Sequence, residues 1–127
     1  MNQADQPLNG VRVLLVEDEA LVAMLIEDML ADDGCSVVAT ASRLSEALGY
    51  AEDPELAFDV AILDLNLAGE TTFPVASALK ARNMPFAFAT GYGAGGLPAE
   101  WRDRPTLQKP FNAGDVTQAL KVALGRA

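Results

Sequence analysis

Four polar positions stand at the ends of apolar runs: Glu17-Asp18 after residues 11–16, Asp64 after residues 60–63, Thr90 after residues 86–89, and Lys109 before Pro110. Such short runs, rich in Val, Ile, Leu and Phe, read as buried strands. If the strands are parallel, their carboxyl ends share one sheet edge, where an open α/β sheet has its ligand crevice. Carboxylates crowded there demand raised pKa values or a cation. An oxygen-only set of carboxylates, a backbone carbonyl and waters suits a hard divalent ion in octahedral geometry, Mg²⁺. Taken singly, each position has a plainer explanation: a solvated acidic loop for Glu17-Asp18-Glu19, a surface lysine for Lys109, a strand-end threonine for Thr90. Only their joint placement argues for a site.

The elements that must position these groups follow from the apolar pattern. Strand-like and helix-like segments alternate five times, the pattern of a parallel α/β fold. The strands are residues 11–16, 37–39, 60–63, 85–89 and 106–108. The first helix begins near Ala20, where Leu21, Leu25 and Met29 with Val22, Ile26 and Leu30 form a broad apolar stripe expected to pack in the core. A short second helix covers residues 44–51, Pro74 opens a third that runs to Arg82, and Asn112 caps the last, with Asp115 in its first turn and Val116, Leu120 and Leu124 on one face. The expected architecture is a flavodoxin-like, doubly wound five-stranded parallel sheet of order 2-1-3-4-5, whose switch point brings the first and third strand ends together.

One stretch breaks the rhythm. Where a fourth helix is due, residues 91–98 hold Gly91, Tyr92, Gly93, Gly95, Gly96 and Pro98. Each interior glycine costs a helix roughly 1 kcal/mol and a proline about 3, so the segment reads as a loop and the fourth helix as degenerate. The glycines also match G-x-G-x-x-G, but after the fourth strand rather than the first, and Leu97-Pro98 interrupts the helix that a dinucleotide site needs.

Composition excludes several function classes. The chain has 127 residues, half of them hydrophobic, enough for one domain, taken as residues 10–127 behind a flexible tail of residues 1–9. Eighteen acidic and nine basic residues give a net charge of −9, which argues against nucleic-acid binding. No apolar run approaches a membrane span and the polar first ten residues do not read as a signal peptide, so a cytoplasmic location is expected. Cys35, the single cysteine, reads as an inert, largely buried thiol. The absence of histidine excludes histidine triads, zinc–histidine sites and histidine phosphotransfer.

From residue 11 to about residue 124, the chain resembles the receiver domains of two-component response regulators, with five separated positions agreeing in order and context. The resemblance implies that Asp64 accepts a phosphoryl group from a sensor histidine kinase or a phosphotransfer protein and signals to a downstream protein. It implies that Asp18 binds Mg²⁺ directly, Glu17 through water, and Asn66 by its backbone carbonyl, beside Asp64 itself. Lys109 matches the lysine that contacts the acyl phosphate, placed by a cis bond to Pro110, and Thr90 matches the switch hydroxyl. Receivers of this kind are phosphoacceptors that assist their own phosphorylation and dephosphorylation, rather than enzymes acting on a separate substrate.

Two departures sharpen the reading. Thr106-Leu107-Gln108 stands where receivers usually carry an aromatic switch residue. Phe88-Ala89-Thr90-Gly91-Tyr92-Gly93 is similar to the motif of the subgroup nicknamed FAT GUY, which implies a kinase of the HWE or HisKA_2 type. The expected output is then an ordering of residues 91–98 around Thr90, presenting Gly91, Tyr92 and Gly93. Phosphate supplies about two negative charges for new hydrogen bonds. With no effector domain after Ala127, a stand-alone switch, shuttle or phosphate sink is expected. A phosphorylation-independent docking module of the same fold and an Mg²⁺-dependent phosphatase with an aspartyl nucleophile are the alternatives.

Overall fold

The computed structural model describes residues 8–91 and 97–126. In chain order the elements are β1 (Arg12–Val16), α1 (Ala20–Asp32), β2 (Ser36–Ala41), α2 (Leu44–Glu52), β3 (Val60–Asp64), β4 (Asn66–Leu67), β5 (Glu70–Thr71), α3 (Phe73–Ala81), β6 (Phe86–Thr90), a 3₁₀ turn (Ala99–Trp101), β7 (Thr106–Gln108) and α4 (Ala113–Ala123). Five parallel strands form one sheet in the order β2-β1-β3-β6-β7, which is the expected 2-1-3-4-5 with a hairpin, β4-β5, inserted after the third strand. Among the described residues between β6 and β7, the 3₁₀ turn stands where the fourth helix was expected to fail.

Both faces of the sheet are covered. β3 and β6 are buried at every position, which is why they read as unbroken apolar runs. One face packs Val13, Leu15 and Ile62 against Ala23, Ile26 and Leu30 of α1 and Val116, Ala119 and Leu120 of α4. The other packs Leu14, Leu63, Phe86 and Phe88 against α2 and α3, with Trp101 and Leu97 closing it beyond β6. Trp101 stacks on Phe73 with the rings 8° from parallel and meets Phe86 and Phe88 edge-on. Asn112 caps α4 as expected, and Asp115 returns the bond to the Asn112 backbone, a reciprocal capping box. Cys35 is buried, and burial pushes its thiol up to about 11, so it is inert.

Two expectations need correction. The α1 stripe is only half core: Ala23, Ile26 and Leu30 are buried, while Leu21 and Leu25 are 81% and 52% exposed. A helix lying on a sheet covers one row of its surface, and Leu21 and Leu25 sit on the row that points away. Leu8, placed in the flexible tail by the sequence, is instead buried in the core, and its carbonyl accepts hydrogen bonds from Val11 N–H and the Cys35 thiol. Element ends also shift by one or two residues: β2 extends to Ser36 and Ala41, and α3 runs from Phe73 to Ala81. No helix among the described residues is long and apolar enough to cross a membrane.

Candidate functional site

Strand register assembles the site. Val16 pairs with Leu63, so the next residues, Glu17 and Asp64, emerge side by side. Asp64 pairs with Ala89, which sets Thr90 one step further out, and Thr90 pairs with Gln108, which does the same for Lys109. The peptide between Lys109 and Pro110 is cis, and Lys109 N–H donates to the Thr90 carbonyl at 2.8 Å. The lysine side chain turns back over the sheet edge, where its Nζ lies 3.2 Å from Asp64 Oδ2 and 3.5 Å from Glu17 Oε1.

These groups are unevenly solvated. Glu17, Asp64 and Thr90 are buried, at 2%, 6% and 3% exposure, while Asp18 and Asn66 are exposed. Burial pushes the Glu17 carboxyl up to about 7; the charge of Asp64 adds to the rise, while the Glu19 backbone N–H and Lys109 oppose it. Burial likewise raises Asp64 against the pull of Lys109. For Lys109 burial acts the other way, yet Asp64 and Glu17 together raise its pKa, so the ammonium stays charged. The Lys109 ammonium contacts Glu17 and Asp64, and the charge of Asp18 acts on Asp64 as well, so the cluster holds more carboxyl groups than cations. Carboxylate oxygens of Glu17, Asp18 and Glu19 also lie within 4.8 Å of one another. An all-oxygen set with uncompensated charge fits a hard divalent cation.

The hairpin β4-β5, which sequence reasoning missed, braces the site. Its tip turns through Ala68 and Gly69, both at positive φ, +52° and +88°. Ala68 N–H donates to Asp18 Oδ2 at 3.0 Å, and Gly69 N–H to the Asn66 side-chain oxygen at 2.9 Å. Asn66 thus braces its own turn with its side chain. The one sequence signal for it is Gly69, between the two short strands. Beside Asp64 opens a cavity of about 370 Å³, lined by Asp64, Asn66, Phe73, Thr90, Gly91 and Pro98 among others.

Asp64, Glu17, Asp18, Asn66, Thr90 and Lys109 are therefore gathered at one sheet edge, with Gly91 at the exit of β6. Tyr92 and Gly93, expected in the output loop, lie outside the described residues. Leu107 is buried in β7 and the Thr106 hydroxyl donates to the Arg104 carbonyl at 3.2 Å, so the usual place of the aromatic switch holds an aliphatic and a hydroxyl group already engaged elsewhere.

The response regulator receiver domain family matches residues 13–121. Among solved structures, SdrG from Sphingomonas melonis Fr1 is 46% identical, with a TM-score of 0.78 over 91% of this chain and 96% of that one. The BeF3-activated conformation of SdrG from Pseudomonas melonis Fr1 is 45% identical, with a TM-score of 0.75 over 89% and 95%. The transcriptional regulatory protein PdtaR of Mycobacterium tuberculosis is 30% identical over 119 residues, which are 91% of this chain and 57% of PdtaR. The chain spans about half the length of the curated relatives it matches.

Proposed function

This chain belongs to the response regulator receiver domain family, and from that premise we propose that it takes a phosphoryl group onto Asp64 from a sensor histidine kinase or a phosphotransfer protein. The observation that carries the reading is the contact of Lys109 Nζ with Asp64 Oδ2 at 3.2 Å, on a carboxylate buried beside Glu17 at the end of β3. A carboxylate is a weak nucleophile. It gains from a fixed position and from positive charge waiting where phosphoryl oxygens arrive.

In the transfer, one oxygen of the ionised Asp64 carboxylate forms the O–P bond as the P–N bond of the donor phosphohistidine breaks, and the leaving nitrogen takes the electron pair and a proton from water. Lys109, relieved of part of its pairing with Asp64, meets the new phosphoryl oxygens as a point charge. Thr90, at the end of the neighbouring strand, donates its hydroxyl to one of them. Glu17, Asp18, Asp64 and the Asn66 carbonyl would hold Mg²⁺. When bound, this ion supplies charge neutralisation for the transferring phosphoryl group.

The proposed output is a phosphate-dependent change of residues 91–98, which join Thr90 to the buried anchors Leu97 and Trp101. The engaged Thr106 supports this route over an aromatic switch. Phe88-Ala89-Thr90-Gly91-Tyr92 supports a place in the FAT GUY subgroup, with a kinase of the HWE or HisKA_2 type and a downstream protein as partners. The setting would be the cytoplasm.

Incubation with acetyl phosphate or phosphoramidate and Mg²⁺ tests the reading by intact mass. One phosphoryl group should be added to the wild type and none to Asp64→Asn. An unlabelled wild type would favour a phosphorylation-independent docking module, and sustained turnover of a phosphomonoester would favour a phosphatase.

A further inference from the structure

Thr72 is a polar residue with no exposed surface. It lies eight positions beyond Asp64 in the chain, at the point where the hairpin returns to the sheet and α3 begins. It stands at the N-cap of α3, where a threonine ordinarily accepts a bond from the first turn of the helix. Its side chain makes no such capping bond. Instead the Thr72 hydroxyl donates to the backbone carbonyl of Asp64 at 2.8 Å, with the Leu65 carbonyl at 3.4 Å. Thr72 N–H donates to the same Leu65 carbonyl at 3.0 Å, and Leu65 N–H donates to the Ala89 carbonyl of β6 at 2.8 Å.

The peptide that follows Asp64 is thus held from both sides, by β6 through its N–H and by Thr72 through its carbonyl. Ala68, in the same hairpin, holds Asp18 Oδ2 at 3.0 Å. The geometry points to Thr72 as a positioning residue for phosphoryl transfer: its buried hydroxyl fixes the Asp64–Leu65 peptide, and through it the direction of the Asp64 carboxylate toward Lys109. This rests on Asp64 being the phosphoacceptor. The forgone helix cap supports a positioning role over a helix-starting one, because the hydroxyl is directed at the strand and not at the helix.

The test compares Thr72→Val, which keeps the shape and loses the hydroxyl, with Thr72→Ser, which keeps the hydroxyl and loses a methyl group. Phosphorylation by phosphoramidate at saturating Mg²⁺ is timed by intact mass, urea midpoints confirm folding, and the carbonyl-carbon NMR shift of Asp64 reports the bond without reference to activity. Because small misplacements of a reacting group are costly, Thr72→Val is expected to be labelled roughly tenfold more slowly. Its Asp64 carbonyl resonance should move, while Thr72→Ser stays close to wild type on both readings. A wild-type rate and an unmoved resonance in Thr72→Val overturn the role of Thr72. An equal loss in Thr72→Ser overturns it too, since the methyl group and not the hydroxyl would then matter. Should Thr72→Val not fold, the Thr72 hydroxyl proton of the intact chain decides: held by the Asp64 carbonyl it exchanges slowly and is visible by NMR, and fast exchange overturns the assignment. Labelling that persists in Asp64→Asn would instead overturn the phosphoacceptor reading on which this one rests.

Discussion

Lys109 Nζ touches both Asp64, at 3.2 Å, and Glu17, at 3.5 Å, although the three residues stand at the carboxyl ends of three different strands, β7, β3 and β1. The lysine is the counter-ion of two buried carboxyl groups. Its replacement by glutamine leaves those carboxylates facing each other. Because removing one partner of a buried pair strands the other, Lys109→Gln should lower stability by about 1–3 kcal/mol near neutral pH, discounted for the lysine's partial exposure. The loss should shrink near pH 5, where Glu17 holds its proton. Urea unfolding at the two pH values checks both the size and the direction.

The Glu17 carboxyl, pushed up to about 7, gives the fold a pH dependence of definite sign. Unfolded, the group releases its proton near the ordinary glutamate value of 4.5; folded, it holds the proton to about 7. In that window the native state binds more protons than the unfolded state, so stability falls as pH rises, by on the order of 2–3 kcal/mol from this group. Asp59, lowered by its hydrogen bonds to Arg12, acts in the opposite sense but only as pH falls through the acid range. A cation requires the ionised carboxylate. Stabilisation by Mg²⁺ should therefore be small near pH 5 and grow through pH 7, as melting curves with and without the ion would register.

Asp18 has two tasks in the same site, a proposed metal ligand and the acceptor for Ala68 N–H at 3.0 Å. Asp18→Ala should abolish the Mg²⁺ response at millimolar ion and also loosen the hairpin. Faster amide exchange at Ala68 and Gly69 would report that second effect. Trp101 is a convenient probe of the first, since it stacks on Phe73, which lines the cavity beside Asp64. An unchanged Mg²⁺ titration of its fluorescence in Asp18→Ala would remove Asp18 from the ligand set.

The strand ends were legible because β1, β3 and β6 are buried on both faces and each run breaks off at a polar residue. That break is what brings Glu17, Asp64 and Thr90 to one edge. The hairpin was not legible, since strands of two residues, Asn66–Leu67 and Glu70–Thr71, carry no period to detect. The contact of Thr72 with Asp64 is a bond to backbone, which residue spacing does not encode. Leu21 and Leu25 misled for a related reason: an apolar helical row announces its own chemistry and not whether anything covers it. Leu8, one apolar residue in a polar stretch, gave no pattern at all, yet it fills the core beside Cys35.

Thr90 offers the sharpest test of how information leaves the site. It is buried at the end of β6, with Lys109 N–H bonded to its carbonyl, and its chain continues directly into residues 91–98. If phosphate acts on that segment through the hydroxyl, beryllofluoride with Mg²⁺ should shift the amide signals of residues 91–98 in the wild type. Thr90→Ala removes the hydroxyl but leaves Asp64, Lys109 and the carboxylates in place. The variant should still be labelled at Asp64, while the shifts in residues 91–98 are lost, because only a bond that differs between the two states can bias them. Shifts as large in Thr90→Ala as in the wild type would show that the segment responds through another group. The nearest alternatives are Lys109, whose Nζ lies 3.2 Å from Asp64 just beyond β7, and Phe73, which lines the cavity beside Asp64 and stacks on Trp101.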